Sequence, residues 1–128
     1  MLKENRSIGY MAELNCDVVV GEHLLINIIN VDQKIINNNE TLKDIMETIS
    51  KKGNFTIIDK RYNNFDPYGF SGIYLLSESH FTFHSWPEYQ KLCLDIFTCS
   101  KDISYDDIFE YININFGKDN ISYLSIKR

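Results

Sequence analysis

Apolar residues along the chain recur at two periods. Residues 23–31 (HLLINIINV) read as a strand rich in β-branched side chains. Asn37-Asn38-Asn39 breaks that run and can supply a helix N-cap. Leu42, Ile45, Met46 and Ile49 follow at helical spacing and form one stripe. Lys51 and Lys52 suit the negative end of that helix, and Gly53 can close it. Residues 55–61 predict a second strand, and residues 63–69 (NNFDPYG) a loop with strong turn chemistry. Strands are predicted at 72–77, 81–85 and 92–98, with Glu78, Ser79 and His80 in the first connection and Pro87-Glu88 opening the second. Ser104 should cap a helix carrying Tyr105, Ile108, Phe109 and Ile112, Gly117 should end it, and 121–126 should be a last strand. The order β-α-β-β-β-β-α-β predicts an α+β fold, a two-layer α/β sandwich with an antiparallel sheet and helices on one face. Residues 10–20 have some β character, interrupted by Asn15 and Asp17. Residues 1–20 are therefore read as an extension, an added strand or a loosely held arm, and residues 21–128 as one domain.

Composition narrows the function classes. At 44% hydrophobic residues over 128, the chain can build a real core and is unlike a disordered segment. Thirteen Lys and Arg against 18 Asp and Glu give a net charge of −5, with no basic patch, which disfavours nucleic acid as a partner. No apolar run is long enough to cross a bilayer, and Lys3, Glu4 and Arg6 lead into no signal-peptide core, so no membrane role is expected. Cys16, Cys93 and Cys99 are odd in number and form no CxxC pair. A disulfide framework and a zinc site are not expected, no metal ligands are assigned, and a cytoplasmic location follows.

The chemistry concentrates in Ser77-Glu78-Ser79-His80, in His84-Ser85-Trp86-Pro87-Glu88, and in Cys99 at the end of the next apolar run. An internal serine at a tight connection can attack the carbonyl before it and turn the amide into an ester. A base can then remove the serine α-proton, and β-elimination leaves a dehydroalanine that hydrolyses to a pyruvoyl group and ammonia. Glu78-Ser79 at a strand end, with His84 across the hairpin, meets those needs. The resulting ketone can condense with a substrate amine and accept the electrons released with CO2. A thiol such as Cys99 can return the proton. By residue type alone, Ser79 is more often a turn residue, Cys99 a small buried hydrophobe and Trp86 part of the core. The chemistry is available without being singled out.

The four pieces Pro67-Tyr68-Gly69-Phe70-Ser71-Gly72, Ser77-Glu78-Ser79-His80, His84-Ser85-Trp86-Pro87-Glu88 and Asp95-Ile96-Phe97-Thr98-Cys99 closely resemble the prokaryotic pyruvoyl-dependent S-adenosylmethionine decarboxylase proenzymes, with spacing kept throughout. Gly21-Glu22-His23 looks like that family's Gly-x-His start, so the resemblance covers about residues 21–126. It implies Ser79 as the pyruvoyl precursor and Glu78–Ser79 as the cleaved bond. It implies His84 as the processing histidine, Ser71 as its assisting serine and Cys99 as the catalytic proton donor. Phe65 and Trp86 match positions that sandwich adenine, and Glu88 matches the acid that holds the ribose hydroxyls. The family also implies a homodimer of processed protomers, with substrate sites near the interface and a product that supplies aminopropyl groups for spermidine.

Departures from the family pattern bear on the substrate. Asp66 stands where an apolar residue is usual, directly after Phe65; Leu92 and Cys93 replace small residues, and Ser100 a glycine. An extra carboxylate could favour arginine or ornithine, although Asp is also a common turn residue before Pro67. Three functions follow: a decarboxylase of S-adenosylmethionine, one of a basic amino acid, or an unprocessed regulatory homologue. Phe65, Trp86 and Glu88 favour the first over the second. Ser79, His84 and Cys99 favour an enzyme over the third.

Overall fold

The computed structural model describes residues 9–13, as backbone alone, and residues 18–128. Its strands are β1 (Gly9–Glu13), β2 (Glu22–Ile28), β3 (Ile57–Asn64), β4 (Phe70–Leu76), β5 (Ser79–Trp86), β6 (Lys91–Thr98) and β7 (Ile121–Lys127). Its helices are α1 (Gln33–Ile36), α2 (Asn39–Lys52) and α3 (Tyr105–Phe116). The strands form one sheet in the order β1-β7-β2-β6-β5-β4-β3. Pairing is antiparallel from β7 to β3. The expected sandwich is therefore present, with one addition: β1 lies in the N-terminal extension and pairs parallel with β7.

Alternation gives the sheet two unlike faces. Leu24, Ile26 and Ile28 of β2, Phe70, Tyr74 and Leu76 of β4, Phe81 and Phe83 of β5, and Leu92, Leu94 and Ile96 of β6 are buried. They meet Leu42, Ile45, Met46 and Ile49 of α2 and Ile108 and Ile112 of α3 in one core. Each fully buried Leu, Ile or Phe stabilises the fold by about 1.5–3 kcal/mol. The opposite face carries His80, Thr82, His84 and Trp86 on β5 and Cys93, Asp95 and Phe97 on β6, and no helix among the described residues lies over it. Ile73 and Leu75 of β4 are about half exposed there, at 50% and 51%.

Local chemistry explains most boundaries. The Asn38 side chain accepts the Thr41 N–H at 3.1 Å and caps α2, and the Gly53 N–H returns to the Ile49 carbonyl at 2.8 Å. Ser104 occupies the N-cap of α3, but its hydroxyl donates to Asp107 at 2.6 Å instead of accepting a backbone N–H. Gly117 ends α3 at φ 84°. The strand expected at 23–31 stops at Ile28: Asn30 turns the chain at φ 56°, and Asp32 caps α1. Val31 and Ile36 are thereby buried under the sheet, a use of apolar residues that extended periodicity does not reveal. Strand β3 starts later than expected and runs through Asn64, and β4 begins at Phe70, which shrinks the loop to residues 65–69. Ser79 and His80 belong to β5, leaving Ser77-Glu78 as the turn.

Gly21 ties the start of β2 to the end of β7 and lies against the end of β6. Its N–H donates to the Arg128 carbonyl at 3.1 Å, and its carbonyl accepts the Arg128 N–H at 2.9 Å. A Cβ added there would stand 2.5 Å from the Thr98 carbonyl oxygen. Backbone cannot yield as a flexible side chain can. Gly21→Ala should therefore destabilise the fold by about 1–3 kcal/mol, as overpacking does, and lower the urea midpoint. An unchanged midpoint would show that the contact is not tight.

Candidate active site

Strands β4, β5 and β6 lie side by side, and their register decides which reactive groups meet. Ser79 pairs with Leu76 on one side and Thr98 on the other, so it stands at the end of both ladders. Cys99 follows Thr98 at the same end. The Ser79 hydroxyl and the Cys99 sulfur are 3.8 Å apart. The carbonyl of Glu78, in the bond before Ser79, faces two donors: the Cys99 backbone N–H at 3.4 Å and the Cys99 thiol at 3.8 Å. Ser79 has φ 117°, a region that L-residues other than glycine rarely occupy. Holding it there costs on the order of 1–3 kcal/mol, and such strain gathers at functional turns. The Glu78–Ser79 link is thus strained, and its carbonyl oxygen is approached by hydrogen-bond donors.

Beside Cys99 a cavity of about 530 Å³ opens between Gly21, Glu22, Ser100 and Tyr105. Burial, aided by the Glu22 carboxylate, pushes the Tyr105 hydroxyl up to about 12, so it stays protonated there. Cys99 is exposed. Cys93 is half-buried, and burial raises its thiol above the ordinary range, which disfavours its reactive thiolate.

The other predicted residues assemble at the opposite end of the same strands. Ser71 on β4 pairs with His84 on β5, and the Ser71 hydroxyl lies 2.7 Å from His84 Nδ1. Two residues on, Trp86 ends β5 at 47% exposure instead of joining the core. Glu88 follows in a 3-10 turn, exposed. Phe65 sits across β4 from this end, 53% exposed, with its N–H on the Gly69 carbonyl at 2.9 Å. Asp66, next to it, is exposed.

The sequence-based placement of His84 across the hairpin from Ser79 needs correction. Both are on β5, and the residue across the hairpin from His84 is Ser71. Five residues of strand put His84 roughly 17 Å from Ser79, and Trp86 roughly 23 Å. Within one chain there are two half-sites. One holds Ser79, Cys99 and the Glu78 carbonyl. The other holds Ser71, His84, Phe65, Trp86 and Glu88.

Sequence reasoning also missed a cluster on the open face near the Ser79 end. His23 on β2 and His80 on β5 flank Phe97 of β6. Both imidazoles turn toward Asp95, two residues back along β6, His23 closely and His80 at 3.6 Å. His23 and His80 are far apart in sequence, and only the strand order β2-β6-β5 makes them neighbours.

Residues 22–128 match the S-adenosylmethionine decarboxylase family. The chain is 39% identical over 111 residues to an S-adenosylmethionine decarboxylase proenzyme of Picrophilus torridus, covering 87% of this chain and 85% of the relative. It is 40% identical over 111 residues to the proenzyme of Thermoplasma volcanium, with the same coverage of 87% and 85%. Among solved structures, the adenosylmethionine decarboxylase of Aquifex aeolicus superposes with a TM-score of 0.72 at 28% identity, covering 86% of this chain and 91% of that one. Sheet, helices and sequence thus agree, and the chain belongs to the S-adenosylmethionine decarboxylase family.

Proposed function

We propose that the protein is a self-processing, pyruvoyl-dependent decarboxylase of S-adenosylmethionine, whose product serves as aminopropyl donor for spermidine synthesis. The observation that carries this reading is the strained Ser79, with its hydroxyl beside Cys99 and the preceding carbonyl facing the Cys99 N–H. The residues fit the formation of the prosthetic group. Attack of Ser79 Oγ on the Glu78 carbonyl carbon would break the C–N bond and form a C–O bond, relieving the backbone strain. The Cys99 N–H stands where it can stabilise the oxyanion of that step. Removal of the Ser79 α-proton and β-elimination then free the Glu78 carboxylate, and hydrolysis of the dehydroalanyl end gives the pyruvoyl group and ammonia.

The pyruvoyl group supplies an electron sink for the pair left when CO2 departs. This chain's own residues do the rest. The Cys99 thiol, 3.8 Å from the Ser79 hydroxyl, is the proton donor to the substrate α-carbon in this reading. Phe65 and Trp86 offer flat, exposed faces for adenine and for the positive sulfonium. Glu88 offers acceptors for the ribose diol. A catalytic thiol works in reducing surroundings, which supports a cytoplasmic location.

Two copies are needed for this chemistry. A span of roughly 23 Å along β5 separates the adenine slot from the reacting serine, more than one substrate molecule can bridge. The open sheet face carries half-exposed Ile73 and Leu75 between the half-sites. A homodimer packed through that face would place His84, Ser71, Phe65, Trp86 and Glu88 of one protomer against Ser79 and Cys99 of its partner. Residues 21–128 would form this unit, with residues 1–20 an addition at the β7 edge.

The reading is tested by mass spectrometry and by release of CO2 from S-adenosylmethionine, arginine and ornithine. The chain should appear as fragments 1–78 and 79–128, the second beginning with pyruvoyl, and Ser79→Ala should remain whole. Cys99→Ala keeps the backbone N–H and should process, with turnover falling by about 10²–10⁴-fold. Trp86→Ala should lower kcat/KM for S-adenosylmethionine by roughly 1–3 kcal/mol, while Asp66→Leu leaves it unchanged or improved. Turnover of arginine or ornithine alone, abolished by Asp66→Leu, would replace this substrate by a basic amino acid.

A further inference from the structure

The His23–Asp95–His80 cluster has no part in the chemistry above. We propose that it is a binding site for a divalent transition ion of the zinc, cobalt and nickel class. Three observations carry the assignment. First, the donor atoms, one from each residue, all lie within 4.8 Å of one another, and no other trio of His, Cys, Asp and Glu among the described residues comes so close. Second, the three come from three adjacent, hydrogen-bonded strands, β2, β6 and β5, so their spacing is fixed by rigid elements and not by loops. Third, two imidazoles and one carboxylate are a donor set that selects these ions over magnesium or calcium, which prefer oxygen alone. Three protein ligands leave a coordination position open for water or a small anion.

The surroundings define how the site would load. Arg128 Nη1 lies 3.2 Å from His23 Nδ1. A guanidinium only donates, so with Arg128 at this distance His23 Nδ1 is the acceptor and Nε2–H points at Asp95. An ion on His23 Nε2 requires the opposite tautomer, with the proton on Nδ1. Arg128 must then let go. Its side chain is exposed and rests over the Phe97 ring, so it can move without disturbing the core. Arg128 thus competes with the ion, both through the tautomer and through its charge. His80 follows Ser79 directly, so a bound ion would tie the start of β5 to β6 and β2 at the residue next to the scissile bond.

The test uses the full-length Ser79→Ala protein, which cannot self-cleave and so keeps the measurement independent of processing and turnover. Zn2+ and Co2+ are titrated by calorimetry, and the Co2+ complex is followed by its visible absorption. One ion per chain is expected, with a spectrum lacking thiolate charge-transfer bands, because neither Cys93 nor Cys99 is a ligand. His80→Ala and Asp95→Ala should each weaken binding by at least roughly 10–100-fold, the range seen for losing even an outer partner of a ligand. Asp59→Ala, an exposed carboxylate on β3, should leave it unchanged. Arg128→Ala should tighten it, an effect that a ligand set elsewhere on the surface would not show. Absence of binding up to millimolar ion, binding through a thiolate, or equal binding by His80→Ala would overturn the assignment and leave a hydrogen-bonded cluster only.

Discussion

Strand β5 is hydrogen-bonded on both sides, and its register against β4 and β6 is what the rest of the molecule depends on. Phe81, Phe83 and Ser85 point into the core while His80, Thr82, His84 and Trp86 line the open face. A slip of one residue would send both histidines inward and both phenyl rings out, so the core enforces the register strongly. The same register sets Ser79 opposite Thr98, beside Cys99, and sets His84 opposite Ser71. Chemistry is therefore positioned by packing that involves none of the reactive residues. Among the described non-glycine residues Ser79 has the largest positive φ, 117°, where the tight Ser77-Glu78 turn feeds into both ladders.

Among the described residues no helix covers the second face of the sheet, and its apolar residues call for a partner surface. Ile73, Leu75 and Leu25 are partly exposed on that face among histidines, a cysteine and a tryptophan. One copy of the chain places the two half-sites at opposite ends of β5. A second copy in antiparallel orientation would bring each half beside its complement, twice over, which is what a two-fold axis does. The hydrophobic contribution to association and the assembly of the site would then come from the same surface.

Much of this was legible in the sequence. The α2 stripe, the Asn38 cap, the Gly53 stop and the succession of short strands all follow from periodicity and turn chemistry, while the roles of Ser79, His84 and Cys99 were implied by the family resemblance alone. Three features were not legible, each for a physical reason. Helix α1 is four residues long, too short to show a period, and it consumes apolar residues that looked like the end of a strand. Trp86 lies at a strand end on the uncovered face, and residue type alone suggests the core. The separation of His84 from Ser79 follows from β5 starting at Ser79 itself, two residues earlier than expected, and the meeting of His23, His80 and Asp95 depends on strand order, which no local pattern encodes.

The central claim is that the reacting serine and its processing histidine come from different copies of the chain. Mixing two inactive variants tests it most directly. Ser79→Ala and His84→Ala are purified separately, mixed under conditions that exchange subunits, and followed by mass spectrometry. In the mixed dimer the His84→Ala chain keeps its Ser79 and receives His84 from its partner. It should be cleaved into 1–78 and 79–128, while neither variant alone processes at the wild-type rate. Absence of cleavage in the mixture, with subunit exchange verified by native mass spectrometry, would contradict the account and require both residues to act within one chain.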